Sequence, residues 1–207
     1  VGNEHARPRL SLPRRLAPSA RRQLVGAAAG GLAGAVAAPA LGADPAGTLA
    51  ASILGAAMFA IAFEDALRLR VPDRWVALAV FAGLAWAGVA GAHEVAAMFE
   101  AVAGALLGGA VCAAAFLLLR EGFYRLRGLD GLGMGDVKLA AAGGVWLGWH
   151  GFAVAVLAAA AAGIAVVGLR ALRAGGWRRE QRLSFGALLA PAIWCAWLSQ
   201  QGGWAGA

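Results

Sequence analysis

The chain alternates long uncharged apolar runs with short segments that carry nearly all of its charge. A bilayer core roughly 30 Å thick is crossed by about 20 helical residues. The runs 24–43, 46–63, 75–92 and 101–119 each meet that requirement and predict four membrane-spanning helices. The next run, 139–169, holds 31 residues without an acidic or basic side chain other than His150, and one helix of that size would be about 46 Å long. It is too long for a single straight span. Lys138 and Arg170 flank it, and if both remain on one side of the membrane the run crosses an even number of times. The pattern therefore predicts a hairpin of two short helices that turns near Gly148, Trp149, His150 and Gly151. A final run at 185–199 brings the total to about seven crossings in an all-α polytopic bundle.

Charge placement sets an orientation. All 18 Lys and Arg residues fall in the N-terminal arm or in the second, fourth and sixth loops, whereas Asp44, Glu94 and Glu100 are the charges left on the opposite side. Positive residues concentrate in cytoplasmic loops, so the N-terminus and the even loops are expected in the cytoplasm. The formal charge of +7 is then a matter of topology and anionic lipid rather than of a nucleic-acid partner. Composition agrees: 61% hydrophobic residues and a mean hydropathy of +0.70 belong to a membrane protein with its core in the bilayer. The expected organisation is a basic, disordered arm at 1–23, a membrane domain at 24–199 and a tail at 200–207. The arm followed by an apolar run imitates a signal peptide, but the length of the run favours an uncleaved first helix.

Glycines recur at every fourth position in Gly26, Gly30 and Gly34, in Gly104 and Gly108, and in Gly144 and Gly148. Such spacing lets helix backbones approach closely in a membrane.

Two acids stand apart from the loop charges. Asp65 ends the second apolar run, and Asp136 directly precedes the hairpin within GLGMGDVKL, so both are expected at similar depth near one face. Charge at membrane depth is costly unless it is used. Two carboxylates a few ångströms apart do not both ionise readily, so one keeps its proton while the other stays charged. That is the arrangement for metal-free peptide hydrolysis, in which the ionised acid takes a proton from attacking water and the protonated one polarises the carbonyl. Gly133 and Gly135 permit unusual backbone angles and a close approach of extended substrate.

Three segments carry a resemblance to the type IV prepilin peptidases. DALRLRVPDRW, 65–75, resembles their first active-site segment, with Pro72 seven residues after Asp65. GMGDVKLAAAGGVWLGW, 133–149, resembles their second, the GxGD motif followed by a lysine, and LSFGALLAPAIW resembles their closing segment, with Ser184 and Ala187 at positions where prolines are common. The resemblance covers about 50–198 and leaves the first helix unmatched. It implies a multi-pass inner-membrane aspartic endopeptidase that removes a short basic leader from prepilins or pseudopilins on the cytoplasmic side, after a glycine that precedes their hydrophobic segment. Asp65 and Asp136 are then the catalytic pair, and Gly133 and Gly135 the motif glycines, with Pro72 in the substrate-approach region. Lys138 is either an interfacial cation or a contributor near the site. Glu64, Asp73, Glu121 and Asp130 are candidates to meet the basic leader. The oligomeric state is left open.

Many relatives also methylate the new N-terminus and carry paired CxxC motifs that bind zinc. Here Cys112 and Cys195 are the two cysteines, each within an apolar run, so no zinc site of that kind, no other metal and no cofactor is expected. A compact, protease-only form follows, as in relatives serving Flp-type pili. Two rivals remain at this level. One is a presenilin-like GxGD protease, whose Pro-Ala-Leu motif is matched here only by Ala190, Pro191 and Ala192. The other is a transporter or scaffold using its acids as relays or ion-pair partners.

Overall fold

The computed structural model describes residues 18–128, 132–174 and 184–202. Among them every regular element is a helix: α1 Pro18–Ala40, α2 Pro45–Arg68, α3 Asp73–Ala90, α4 Val95–Arg127, α5 Met134–Ala174 and α6 Phe185–Gln201. Five of the six, α1 to α5, are long and apolar enough to cross a membrane, and α6 is shorter, with 17 residues.

The predicted hairpin lies within α5. Gly148 breaks its helical backbone at φ 65°, ψ 178°, a region essentially restricted to glycine. The chain folds back there, because a Cβ on Gly143 would lie 2.6 Å from the Phe152 ring, whereas nine residues of straight helix span about 13 Å. Counting the legs 134–147 and 149–174 separately gives seven helical segments among the described residues.

Helix ends differ from the apolar runs that predicted them. Residues 18–23 begin α1 instead of belonging to a disordered arm, since proline is accommodated in a first helical turn. Residues 1–17, the rest of the predicted arm, and 203–207 of the tail lie outside the described residues. The α4 helix extends to Arg127, past the apolar run, because the backbone ladder continues once nucleated whatever the side-chain polarity. At the other end of the bundle Asp44 caps α2, its Oδ1 accepting from Gly47 N at 2.7 Å, which satisfies a donor the helix leaves free.

The core forms where α2, α5 and α6 meet. Leu54, Met58 and Ile61 of α2, Leu139 of α5, and Leu189, Ile193 and Trp197 of α6 are fully buried. Two buried indoles tie the layers together, Trp146 Nε1 donating to Ala79 O at 2.7 Å and Trp194 Nε1 to Ala51 O at 3.0 Å. A buried indole N–H left without an acceptor would be costly.

The glycine spacing serves packing. Cβ atoms on Gly26 and Gly34 would lie 2.7 Å from Phe59 O and 2.6 Å from Ala51 O, and one on Gly30 would collide with Gly55 O. The α1–α2 seam is thus backbone against backbone. Gly108 and Gly144 make the same close contact between α4 and α5, whereas Gly104 has open space around it.

Candidate active site

Asp65 stands in the last turns of α2, where the helix ends because Pro72 lies just ahead. A proline disfavours helical backbone in its predecessor, and the chain turns at Leu69, which adopts the left-handed conformation at φ 53°, ψ 42° and donates its N–H to Asp65 O at 2.8 Å. A non-glycine residue in that region is uncommon and mildly strained. Pro72 then caps α3 at its N-terminus, and Asp73 occupies the first turn, where a negative charge favours the helix dipole.

Asp136 stands in the first turn of α5, its N–H donating to Gly133 O at 3.0 Å. Neither Gly133 nor Gly135 has a positive φ, which corrects the expectation of unusual backbone angles. Gly135 is required for another reason: a Cβ there would lie 2.8 Å from Val71 Cγ2. The α2–α3 turn sits directly on the GxGD segment.

The third wall comes from α6. A Cβ on Gly186 would lie 2.7 Å from Asp65 Oδ2 and 3.2 Å from Asp136 Oδ1. The two carboxylate oxygens are therefore no more than about 6 Å apart, within the range where one charge acts strongly on another. Ser184 completes the arrangement. Its hydroxyl caps α6 by accepting from Ala187 N at 3.3 Å and donates to Asp65 Oδ2.

All six residues singled out from the sequence, Asp65, Pro72, Gly133, Gly135, Asp136 and Lys138, line one cavity of about 860 Å³. Lys138 is not a lone interfacial cation, because its Nζ lies 2.7 Å from Asp73 Oδ1. Glu64 and Asp73 also line the cavity, whereas Glu121 pairs with Arg125 at 2.8 Å instead, and Asp130 lies outside the described residues. Ser184 and Gly186 belong to the segment that resembles the family's closing one, but the sequence assigned neither a contact with the aspartates. A serine directly before an apolar run is a helix N-cap signal, which locates Ser184 but not its bond to Asp65. Cys112 and Cys195 are free thiols in α4 and α6, and among the described residues no three His, Cys, Asp or Glu side chains cluster as a metal site.

A family model described as the type IV leader peptidase family matches residues 52–168, a segment containing both aspartates and the turn between α2 and α3. A prepilin leader peptidase/N-methyltransferase from Burkholderia pseudomallei is 53% identical over 68 residues, 33% of this chain and 22% of the relative. One from Aeromonas salmonicida is 32% identical over 149 residues, 72% of this chain and 48% of the relative. The leader peptidase HopD of Escherichia coli is 35% identical over 130 residues, 62% of this chain and 78% of the relative. The chain thus spans half or less of the curated peptidase/methyltransferases it matches. No solved structure gives a significant match. With five helices suited to crossing a membrane and a family match over more than half its length, the chain is a multi-pass membrane protein that belongs to the type IV leader peptidase family.

Proposed function

We propose that this protein is an aspartic endopeptidase of the bacterial inner membrane that removes the basic leader peptide from a type IV prepilin or pseudopilin at the cytoplasmic face, with Asp65 and Asp136 as its catalytic pair. The observation that carries the reading is the convergence of both carboxylates on Gly186, although they come from helices 71 positions apart in sequence.

The chemistry follows from that geometry. One aspartate, ionised, takes a proton from a water molecule as its oxygen attacks the scissile carbonyl carbon, while the other, protonated, donates to the carbonyl oxygen. Collapse of the tetrahedral species breaks the C–N bond, and a proton passes to the departing amine. The protons belong to the pair as a unit. Ser184, donating to Asp65 Oδ2, fixes the orientation of that carboxyl group toward the site.

The positive-inside distribution supports a cytoplasmic placement, since Arg68, Arg70, Arg74 and Lys138 line the same cavity as the two aspartates. Cys112 in α4 and Cys195 in α6 do not have CxxC spacing. The Ala190–Pro191–Ala192 segment lies beyond the α6 turn that meets the carboxylates, which is formed by Gly186, so the presenilin-like reading has no support of its own.

The test is leader removal on co-expression with a prepilin from the same genome. Wild type is expected to shorten the substrate, and Asp65→Asn and Asp136→Asn are each expected to abolish this at unchanged membrane levels. Cleavage that persists in either variant refutes the catalytic pair.

A further inference from the structure

Three polar or charged residues are buried among the described ones: Gln23, Glu64 and Asp65. Asp65 belongs to the proposed catalytic pair and Glu64 adjoins it, but Gln23 lies on α1, ahead of the 52–168 segment that matches the family. Its neighbours Arg21 and Arg22 are exposed, whereas Gln23 is 6% exposed. Burying an amide is unfavourable unless its hydrogen bonds are made.

They are made in one direction. Gln23 Oε1 accepts from Arg74 Nε at 3.0 Å, from Arg74 Nη2, and from Trp75 Nε1 at 3.0 Å. An amide oxygen offers two lone pairs, so three donors saturate it. All three come from the first turn of α3, whose preceding residues Val71 and Pro72 form the turn resting on Gly135. The same turn is also tied to α5 by the Asp73–Lys138 ion pair.

The support behind Gln23 is rigid. It lies one helical turn before Gly26, the first of the three glycines whose backbone contacts lock α1 against α2. The seam therefore fixes where the Gln23 oxygen stands relative to Asp65 on α2, and the hydrogen bonds pass that position to α3. From there the Val71 contact passes it to the segment bearing Asp136.

We propose that Gln23 is a positioning residue of the active site: by holding Arg74 and Trp75 it sets the α2–α3 turn against Gly135, and so the placement of Asp136 relative to Asp65. The inference rests on the reading that those two aspartates perform the cleavage. It makes α1 a working part of the site.

The experiment compares kcat and KM for cleavage of a prepilin-like substrate by the purified full chain, with variants matched for monodisperse protein. Gln23→Leu keeps the volume but removes the acceptor, and displacement of a catalytic group by a fraction of an ångström to 1 Å lowers turnover by about 10- to 100-fold. A fall of that order in kcat, with KM within about threefold of wild type, is the expected result. Gln23→Glu retains the acceptor and is expected to recover kcat to within about threefold of wild type, because the carboxylate still receives Arg74 and Trp75. Arg74→Ala is expected to resemble Gln23→Leu, and the double variant to be no worse than the poorer single one. Unchanged kcat in Gln23→Leu overturns the proposal, as do failure of Gln23→Glu to recover activity and additive losses in the double variant. Asp65→Asn and Asp136→Asn are assayed alongside. If they retain cleavage, the catalytic reading falls and takes this inference with it; if they abolish it while Gln23→Leu turns over normally, only the role of Gln23 is lost.

Discussion

The Ser184 hydroxyl donates to Oδ2 of Asp65, joining the residue that caps α6 to the last turns of α2 across 119 positions of sequence. The bond gives one member of the aspartate pair a donor that its partner does not share. It also places the start of α6 at the site, although Ser184 lies outside the 52–168 segment that matches the family.

Replacing Ser184 with alanine removes that donor and the α6 cap together. Loss of the cap costs about 1 kcal/mol of stability, and loss of a hydrogen bond to a charged group about 1.5–3 kcal/mol where the charge is used. The expected outcome is a fall in kcat of about 10- to 100-fold by that reckoning, with Ser184→Thr close to wild type. Single-turnover cleavage of a prepilin-like substrate measures both variants. Equal activity in Ser184→Ala and wild type would show that the bond contributes nothing to the reaction.

Gly186→Ala tests the convergence itself. The new methyl would lie 2.7 Å from Asp65 Oδ2, closer than carbon and oxygen tolerate, and a tight 3.2 Å from Asp136 Oδ1, so the Asp65 carboxylate or the helix must move. Cleavage is expected to drop at least about 100-fold while the protein still accumulates in the membrane, since Gly186 is one residue at the mouth of α6. A variant that cleaves as wild type does would show that the two aspartates are not held as close as described.

The glycine seam separates packing from chemistry. Gly30→Ala drives a methyl into Gly55 O, whereas Gly104→Ala meets open space. Overpacking of this kind costs roughly 1–3 kcal/mol. Thermal unfolding in detergent is expected to show a clear loss for Gly30→Ala and none for Gly104→Ala. Equal melting of the two variants would remove the argument that α1 and α2 are locked backbone to backbone.

Much of this architecture was legible along the chain. Bilayer thickness converts run length into spans, so four apolar runs and the overlong one announced α1 to α5, and the overlong run with a cation at each end implied a turn close to Gly148. Asp65 and Asp136 were conspicuous because an acid bordering an apolar run is costly. Spacing also announced the helix contacts of Gly26, Gly30 and Gly34, though it could not distinguish Gly108, which packs on α5, from Gly104, where an added Cβ would have open space.

What the chain alone determined, then, was the bundle and the two acids, because hydrophobic run length and misplaced charge are local quantities. Tertiary structure decided that Ser184 and Gly186 meet Asp65, that Val71 rests on Gly135, that Lys138 finds Asp73, and that Gln23 receives Arg74 and Trp75. Each of these depends on how helices distant in sequence rotate and slide against one another. That registry is fixed by packing at the backbone seams, and no single segment contains it.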